Sequence, residues 1–271
     1  MKSKTLYLSD LDGTLLRSVE RLSEYTIDII NSLVKHNGCF SYATARLAVT
    51  ASKVTTGLLT EAPVICYNGA FTMRKNEIIN SNYFTPTEIE YIKSFLGLIP
   101  IVYAYVNGKE RFSFIENDIS EGMQHFLNSR LDDPRRNEAK SVDELYAGDI
   151  FYISCISGEQ QLEPVNAIIN KDQHFQSIYH KDIYSGAQWC EIMPKKATKA
   201  NAAIQLKSML HCDKLIVFGD GLNDIPLFNV ADECYAMQNA APELKKIATD
   251  VIESNDNDGV AKWIEKNVKR M

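Results

Sequence analysis

Residues 8–15, LSDLDGTL, place two carboxylates, Asp10 and Asp12, directly after an apolar strand. Side chains two positions apart on a strand lie on the same face, so the two acids would repel one another if the strand continued. Gly13 permits the chain to turn there, and a cation could also neutralise the acids. A helix-capping turn after the strand is the plain structural alternative. The stretch therefore predicts the end of a strand and a candidate cation site.

The composition is that of a globular protein. The chain of 271 residues has a net charge of −6, with 45% hydrophobic and 24% charged residues, which fits one large domain or two ordinary ones. The acidic charge argues against a nucleic-acid or anionic-membrane surface. The start MKSKTLYLSD has no signal-peptide or membrane-spanning pattern, so we expect a cytoplasmic protein that acts on small molecules. Six widely spaced cysteines favour reduced thiols over disulfides or zinc.

Strand and helix signals alternate in the first part of the chain. Apolar residues recur at helical spacing from 22 to 34, and the strand CFSYAT follows at 39–44. A further helix, the strand PVICYNG at 63–69 and a hairpin at 70–81 come next. This order predicts a parallel sheet in an α/β domain.

From about residue 82 the pattern changes to that of an α+β insert. A capped helix, TPTEIEYIKSFL, precedes a hairpin that turns at NGK, and three further strands surround a helix at 160–170. The α/β pattern resumes with the helix TKANAAIQLKSML and the strand KLIVFGD. We therefore predict a Rossmann-like parallel-sheet core, residues 1–81 and 188–271, which is interrupted by an α+β domain, residues 82–187.

A second acidic cluster, VFGDGLND at 217–224, follows another apolar strand. Parallel strands present their carboxyl ends at one edge of a sheet, so Asp220 and Asp224 could meet Asp10 and Asp12 there. Oxygen ligands without His or Cys suit Mg²⁺, which typically takes one or two carboxylates together with substrate phosphate. The sequence therefore predicts that an anion binds beside the cation.

Two further residues match an anion site. Thr44 ends the second strand, where its hydroxyl and nearby backbone N–H groups could bind a phosphate. Lys199 stands in the first turn of its helix, which is unfavourable against the helix dipole and indicates a compensating interaction elsewhere.

The motifs DLDGT, Thr44, Lys199 and GDGLND, in this order, resemble the four signature motifs of the haloacid dehalogenase superfamily of phosphohydrolases. The insert, with CYNGA before it and MQNAAPELKKIATDVIESNDNDGVAKWIEK after it, is similar to the Cof-type subgroup, subfamily IIB, with a large α+β cap. The resemblance covers nearly the whole chain. It implies a Mg²⁺-dependent phosphatase that hydrolyses small phosphate monoesters, such as sugar phosphates, nucleotides or cofactor phosphates, through an aspartyl-phosphate.

The resemblance also implies roles for individual residues. Asp10 would be the nucleophile, and Asp12 the general acid and then the general base. Mg²⁺ would be held by the carboxylates of Asp10 and Asp220 and the backbone carbonyl of Asp12, with Asp224 supporting the metal waters or Lys199. The residues expected to contact the phosphoryl group or the substrate are Leu11, Thr44, Ala45, Asn68, Lys199 and Asn223.

One residue departs from the family pattern, and two other hypotheses stay open. The family usually has glycine at the position of Ala45, where a methyl group would crowd the phosphate and disfavour a positive φ. A receiver-like phospho-accepting signalling module also uses clustered acids, a Thr and a Lys, but the extra acid in DLDGT and the large insert argue against it. A catalytically weak binding protein on the same fold is the third hypothesis, and the intact set of acids argues against it.

Overall fold

The computed structural model of the protein describes residues 4–75, 77–117, 119–182 and 186–268. Within these residues lie fourteen β-strands and ten α-helices. The strands are β1 (Thr5–Ser9), β2 (Cys39–Tyr42), β3 (Val64–Cys66), β4 (Phe71–Arg74), β5 (Glu77–Ser81), β6 (Ile101–Val106), β7 (Lys109–Phe114), β8 (Arg136–Glu138), β9 (Asp149–Ser157), β10 (Phe175–Lys181), β11 (Gln188–Pro194), β12 (Lys214–Gly219), β13 (Glu233–Met237) and β14 (Asp250–Ile252). The helices are α1 (Glu24–Lys35), α2 (Ala48–Val54), α3 (Pro86–Leu96), α4 (Glu121–Asn128), α5 (Val142–Leu145), α6 (Glu159–Lys171), α7 (Lys199–Met209), α8 (Ile225–Phe228), α9 (Pro242–Ile247) and α10 (Gly259–Asn267). None of the described helices has the length and apolar character needed to cross a membrane.

The first of two compact units consists of Met1–Ser81 and Ala197–Met271 and contains a parallel sheet. Its strand order is β14-β13-β12-β1-β2, and every neighbouring pair is parallel. In β1, Leu6 and Leu8 are fully buried, while the intervening Tyr7 packs against Trp263 of α10. Both faces of β1, an interior strand of this sheet, are therefore covered, as a parallel sheet requires. The predicted α/β class of this unit is confirmed.

Strand β3 was predicted to lie in the parallel sheet, but it lies in another sheet. It pairs antiparallel with β4, which pairs with β5, and these three strands form a separate sheet. Within the described residues, a single parallel bridge between Ala43 and Ile65 links this region to the end of β2. The predicted place of β3 in the parallel sheet is wrong, because β2 ends at Tyr42 and its pairing with β3 is limited to this one bridge. The predicted hairpin of β4 and β5 is confirmed, and its turn includes residue 76, which lies outside the described residues.

The second unit, Asn82–Lys196, is an α+β fold as predicted. Its six-stranded sheet has the order β10-β11-β9-β6-β7-β8, with antiparallel neighbours except for β7 and β8. Helix α3 begins where TPTE predicts, because Thr85 and Glu88 form a reciprocal capping box. Ile92 of α3 and Ile169 of α6 lie in one buried cluster with Ile153 of the sheet.

The predicted return to the first unit at residue 188 is wrong. Strand β11 pairs antiparallel with both β9 and β10, so it belongs to the second unit, and the first unit resumes at Ala197. The stretch AQWCEIMP forms the expected strand. Its apolar pattern does not specify which strands it will pair with, so the boundary could not be placed from the sequence.

We expect residues 82–196 to fold as an isolated polypeptide, because they have a buried cluster of their own. Urea denaturation followed by circular dichroism should show one cooperative transition. Ile192→Ala, at a fully buried position, should lower the free energy of unfolding by about 2–5 kcal/mol. The control Val142→Ala, at a 45% exposed position, should change it by less than about 0.5 kcal/mol. A gradual transition, or equal effects of the two variants, would contradict an independent core.

Candidate active site

Three acids meet at the carboxyl edge of the parallel sheet. Asp10 follows β1 and Asp220 follows β12, and these strands are neighbours in register, with Ser9 opposite Phe218. The backbone N–H of Asp10 donates to the Phe218 carbonyl at 2.9 Å, which extends the strand pairing into the site. Asp224 is fully buried in the turn after β12. One carboxylate oxygen from each of the three acids lies within 4.8 Å of the others. The structure therefore brings the two acidic clusters of the sequence together.

The ammonium group of Lys199 lies between two of these acids. Its Nζ donates to Asp10 Oδ1 at 2.7 Å and to Asp224 Oδ1 at 2.8 Å, and the Lys199 side chain is 3% exposed. Lys199 is the first residue of α7, and Thr198 caps that helix by accepting from the Asn201 N–H. A cation in the first turn opposes the helix dipole. The two charge-assisted hydrogen bonds offset that cost.

The buried cluster contains more carboxylates than positively charged groups, and burial shifts the pKa values of its acids. Burial raises the pKa of Asp10 to about 7, the Lys199 ammonium opposes this shift, and the charge of Asp224 adds to it. Burial also raises the pKa of Asp220, against a hydrogen bond from the Thr14 hydroxyl. Burial alone would lower the pKa of Lys199, but Asp10 and Asp224 raise it above its ordinary value, so Lys199 keeps its charge. Three carboxylates therefore share one ammonium group.

The donor set fits a hard divalent cation. Carboxylate oxygens without nitrogen or sulfur are the ligands that such cations prefer. Asp224 already has partners, because its Oδ2 accepts from the backbone N–H groups of Asp220 and Gly221 at 3.2 and 3.1 Å. Thr14 Oγ1 donates to Asp220 Oδ1 at 2.7 Å and fixes the orientation of that carboxylate. Asp10 and Asp220 are therefore suited to bind a cation directly, and Asp224 to support them.

A tight turn carries the chain out of β1. The backbone N–H of Leu16 donates to the Leu11 carbonyl at 2.8 Å and closes the turn Leu11–Leu15. Gly13 has a φ of +72°, and a Cβ at this position would lie 2.3 Å from Asp220 Oδ2. Glycine is required both by this backbone conformation and by the close approach of the acid.

Two asparagines from the C-terminal part of the chain hold this turn. Asn239 Nδ2 donates to the Gly13 carbonyl at 2.7 Å, and Asn255 Nδ2 donates to the Leu16 carbonyl at 2.9 Å. The Asn255 backbone N–H donates to Asn239 Oδ1 at 3.1 Å, which joins the two amides in one network. The position of the turn after β1 therefore depends on residues more than two hundred positions away.

The carboxylate of Asp12 lies apart from the buried cluster and pairs with Arg46. Arg46 Nε donates to both Asp12 oxygens, at 3.0 and 2.9 Å, and Nη2 donates to Asp12 Oδ1 at 2.5 Å. The same Nη2 donates to Glu20 Oε2 at 3.0 Å. The Asp12 side chain is 48% exposed and that of Arg46 is 20% exposed, so the pair is accessible to solvent. Arg46 thereby fixes the orientation of Asp12.

Thr44 and Ala45 follow β2, the strand beside β1. Thr44 is fully buried, and its Oγ1 accepts from the Arg46 backbone N–H at 3.0 Å. Ala45 is exposed and is not among the described residues that have a positive φ. The Ala45 methyl group therefore does not strain the backbone, and the crowding of a phosphate by this methyl group stays a prediction.

The other predicted site residues lie on loops that follow strands of the first unit. The Leu11 side chain is fully buried, so only its backbone could meet a ligand. Asn223 is exposed in the turn after β12, and Asn68 is half-buried after β3 with a φ of +52°. Hydrogen bonds join Lys199 to Asp10 and Asp224. Asp220 belongs to the same group of carboxylates, and the Asp12 carboxylate does not.

Sequence reasoning missed Arg46, Thr14 and the two clamping asparagines. Arg46 stands two positions after Thr44 in the motif ATARL. This short separation could have indicated that Arg46 also lies at the site. Thr14 belongs to DLDGT itself. Asn239 and Asn255 lie in the C-terminal stretch that carries the family resemblance, but their hydrogen bonds to distant backbone carbonyls leave no local pattern.

The fold is that of haloacid dehalogenase-like hydrolases. The model of this family matches residues 7–264, and the chain belongs to the family. The resemblance inferred from the motifs is thereby confirmed.

The named relatives define the enzyme class further. The chain is 23% identical over 264 residues to 5-amino-6-(5-phospho-D-ribitylamino)uracil phosphatase YitU of Bacillus subtilis, with 95% of each chain covered. TM0651 from Thermotoga maritima has a TM-score of 0.76 at 23% identity, with 97% of each chain covered. BT1666 from Bacteroides thetaiotaomicron has a TM-score of 0.74 at 18% identity, with 97% of this chain and 95% of its own covered. The two solved structures support the fold alone. The predicted class, a phosphatase of this superfamily, is confirmed by the family and its named relatives.

Asn255→Ala should destabilise the protein, because it removes the donor to the Leu16 carbonyl at a buried hydrogen bond. We expect the free energy of unfolding to fall by about 1–3 kcal/mol in urea denaturation. Asn257→Ala is the matched control, since the exposed Asn257 amide donates to the Ser254 hydroxyl. It should change the free energy by less than about 0.5 kcal/mol. Equal losses in the two variants would show that the asparagine network does not hold the turn.

Proposed function

We propose that the protein is a Mg²⁺-dependent phosphatase that hydrolyses small phosphate monoesters through an aspartyl-phosphate at Asp10. The observation that carries this proposal is the group of three carboxylates that share the single ammonium of Lys199. Such a group has excess negative charge and is stabilised by a divalent cation. Mg²⁺ commonly completes its ligand shell with phosphate oxygens, which makes a phosphorylated substrate the natural partner.

Two acids with different surroundings would carry the two parts of the reaction. The Asp10 carboxylate attacks phosphorus, and its new O–P bond forms as the bond to the leaving oxygen breaks. Asp12 donates a proton to the leaving alcohol. Water then attacks the phosphorus of the aspartyl-phosphate, Asp12 accepts the proton of that water, and Asp10 departs as a carboxylate while phosphate is released. The ion pair with Arg46 fixes the position of the Asp12 carboxylate. Because the guanidinium favours the ionised form of Asp12, the pair supports the step in which Asp12 accepts a proton and opposes the step in which Asp12 donates one.

The cation would be held by the carboxylates of Asp10 and Asp220 and by the backbone carbonyl of Asp12. When bound, it neutralises the acids and polarises the phosphoryl oxygens. Lys199 adds a fixed positive charge where negative charge develops in the transition state. Asp224 would support the site indirectly, because its Oδ1 accepts a hydrogen bond from Lys199 Nζ at 2.8 Å.

The phosphoryl oxygens would meet donors on the loops at the sheet edge. Thr44 would contribute its hydroxyl, Lys199 its ammonium group and Asn223 its side-chain amide. Leu11 and Ala45 would contribute backbone N–H groups. Asn68 is proposed as a contact to the remainder of the substrate.

The proposed substrate is a small phosphorylated metabolite, such as a sugar phosphate, a nucleotide or a cofactor phosphate. The Bacillus subtilis relative is named for a phosphorylated ribityl compound, which falls in this class. The proposed catalytic groups all lie outside residues 82–196, so that unit would select among substrates. The net charge of −6 supports action on small metabolites rather than on nucleic acid or a membrane surface. A cytoplasmic location is part of the proposal.

Turnover of p-nitrophenyl phosphate tests the proposal. The protein should release phosphate in Mg²⁺ and stop when EDTA removes the cation. Asp10→Asn should lower kcat by at least about a thousandfold, because the amide lacks the attacking charge. Asp28→Asn, at an exposed position of α1, is the matched control and should keep the wild-type rate.

Other outcomes point to the other hypotheses. Labelling of one aspartate per chain without turnover would indicate a receiver-like module. Mg²⁺ binding without labelling or turnover would indicate a catalytically weak binding protein. Full activity in excess EDTA would remove the cation from the mechanism.

Arg46→Gln should impair the protonation of the leaving group, because Asp12 loses the side chain that fixes its position, and we expect this loss to outweigh the easier protonation of Asp12. We expect kcat to fall at least about tenfold more for an alkyl phosphate than for p-nitrophenyl phosphate, because p-nitrophenolate leaves without a proton. Steady-state kinetics with both esters give this ratio. Arg21→Gln, at an exposed position, is the control and should leave the ratio unchanged. A uniform loss on both esters would show that Arg46 does not act through Asp12.

A further inference from the structure

The loop Tyr67–Gly69, which connects β3 to β4, has an unusual backbone. Tyr67, Asn68 and Gly69 have φ values of 51°, 52° and 100° in succession. Positive φ is ordinary for glycine and tolerated by asparagine, but it is an outlier for a bulky aromatic residue. In tight hairpin turns the positive φ values usually fall on Gly or Asn. The reversal of the chain between β3 and β4 therefore does not require a positive φ at Tyr67. Strain of this kind persists only where the surroundings impose it.

One side of this loop holds the segment that contains Thr44. The backbone N–H of Tyr67 donates to the Arg46 carbonyl at 3.1 Å, and that of Asn68 donates to the Thr44 carbonyl at 2.9 Å. Thr44 in turn donates its own N–H to the Ile65 carbonyl at 2.9 Å. Three backbone hydrogen bonds therefore fix Thr44 and Arg46 relative to the loop.

The other side of the loop meets the beginning of α7. A Cβ on Gly69 would lie 2.2 Å from the Thr198 carbonyl oxygen and 2.9 Å from the Lys199 backbone nitrogen. The two backbones are thus in direct contact, with no room for a side chain between them. Thr198 is the capping residue of α7, so this contact lies at the point where the helix begins.

The loop is anchored as a rigid part of the first unit. The Tyr67 ring packs edge-on against Phe71, with ring centroids 5.6 Å apart, and Tyr67 is 4% exposed. Because this ring is buried, the loop cannot shift without repacking the interior. Its two contacts, to the Thr44 segment and to the cap of α7, therefore lie at a fixed separation.

We propose that Tyr67–Gly69, here called the spacer loop, is a positioning element that sets the separation between Thr44 and Lys199. The inference rests on the proposed function, in which both residues bind oxygens of one phosphoryl group. A displacement of about 1 Å in a positioned group can reduce a rate by about a hundredfold. The spacer loop would prevent such a displacement through its backbone contacts, which the buried Tyr67 ring holds in place.

Gly69→Ala tests the spacer loop, because its methyl group would press on the Thr198 carbonyl and displace the start of α7. Gly57→Ala is the matched control. Gly57 also has a positive φ, +91°, but a Cβ there would meet no atom closer than Ile27 Cδ1 at 3.4 Å. Both variants carry the backbone penalty, and only Gly69→Ala acts on Lys199. Melting curves establish which variants are folded at the assay temperature.

We expect kcat with Mg²⁺ to fall at least about tenfold further in Gly69→Ala than in Gly57→Ala. The loss should be the same for p-nitrophenyl phosphate and for an alkyl phosphate, because Thr44 and Lys199 act on the phosphoryl group that the two esters share. Lower stability alone would not reduce kcat at a temperature at which both variants are folded. Equal kcat values in the two variants would overturn the proposal, and so would a loss confined to the alkyl ester, which would assign the loop to Asp12.

If Gly69→Ala does not fold, Tyr67→Ala decides the question, because it loosens the loop without inserting an atom. A loss of kcat of at least about tenfold on both esters supports the spacer loop, and a wild-type kcat overturns it. Absence of turnover in the wild-type protein would remove the proposed function and this inference together. An active wild-type protein with unaffected loop variants would remove the inference alone.

Discussion

The buried ammonium group of Lys199 is the interaction on which the rest of the site depends. Two carboxylates, Asp10 and Asp224, face it at 2.7 and 2.8 Å, and burying them without a fixed positive charge would be strongly unfavourable. Because Lys199 is the first residue of α7, the place where that helix begins determines where the charge lies. The capping of one helix therefore controls the charge balance at the edge of the parallel sheet.

The two acids of DLDGT have opposite surroundings although one residue separates them. Asp10 is buried, and its pKa is raised to about 7, whereas the Asp12 side chain is 48% exposed and held by Arg46. The turn Leu11–Leu15 produces this difference, because it begins directly after Asp10 and the chain has left the strand before it reaches Asp12. Different environments for neighbouring carboxyl groups are the usual way in which proteins give them different chemical roles.

Local pattern predicted much of the fold and the site. Apolar stretches that end in acids predicted β1 and β12, and TPTE predicted the start of α3. The pairing of β3 with β4 and the place of β11 were not predictable, because a strand sequence does not specify its partner. The pair of Asp12 and Arg46 spans 34 positions, and such a contact leaves no periodic signal. The long-range contact between the two acidic clusters was predictable from the common edge of a parallel sheet, whereas strand partners and individual side-chain pairs were not.

The order of the segments along the chain has a consequence for synthesis on the ribosome. Strand β1 is made first, yet its neighbour β12 begins at Lys214, after all of the second unit has been translated. Until then, the β12 side of β1 is an open edge whose N–H and C=O groups have no strand to pair with. The second unit is continuous and can complete its sheet while α7 is still being made. Vectorial synthesis thus favours folding of the second unit before β12 pairs with the edge of β1 that precedes Asp10.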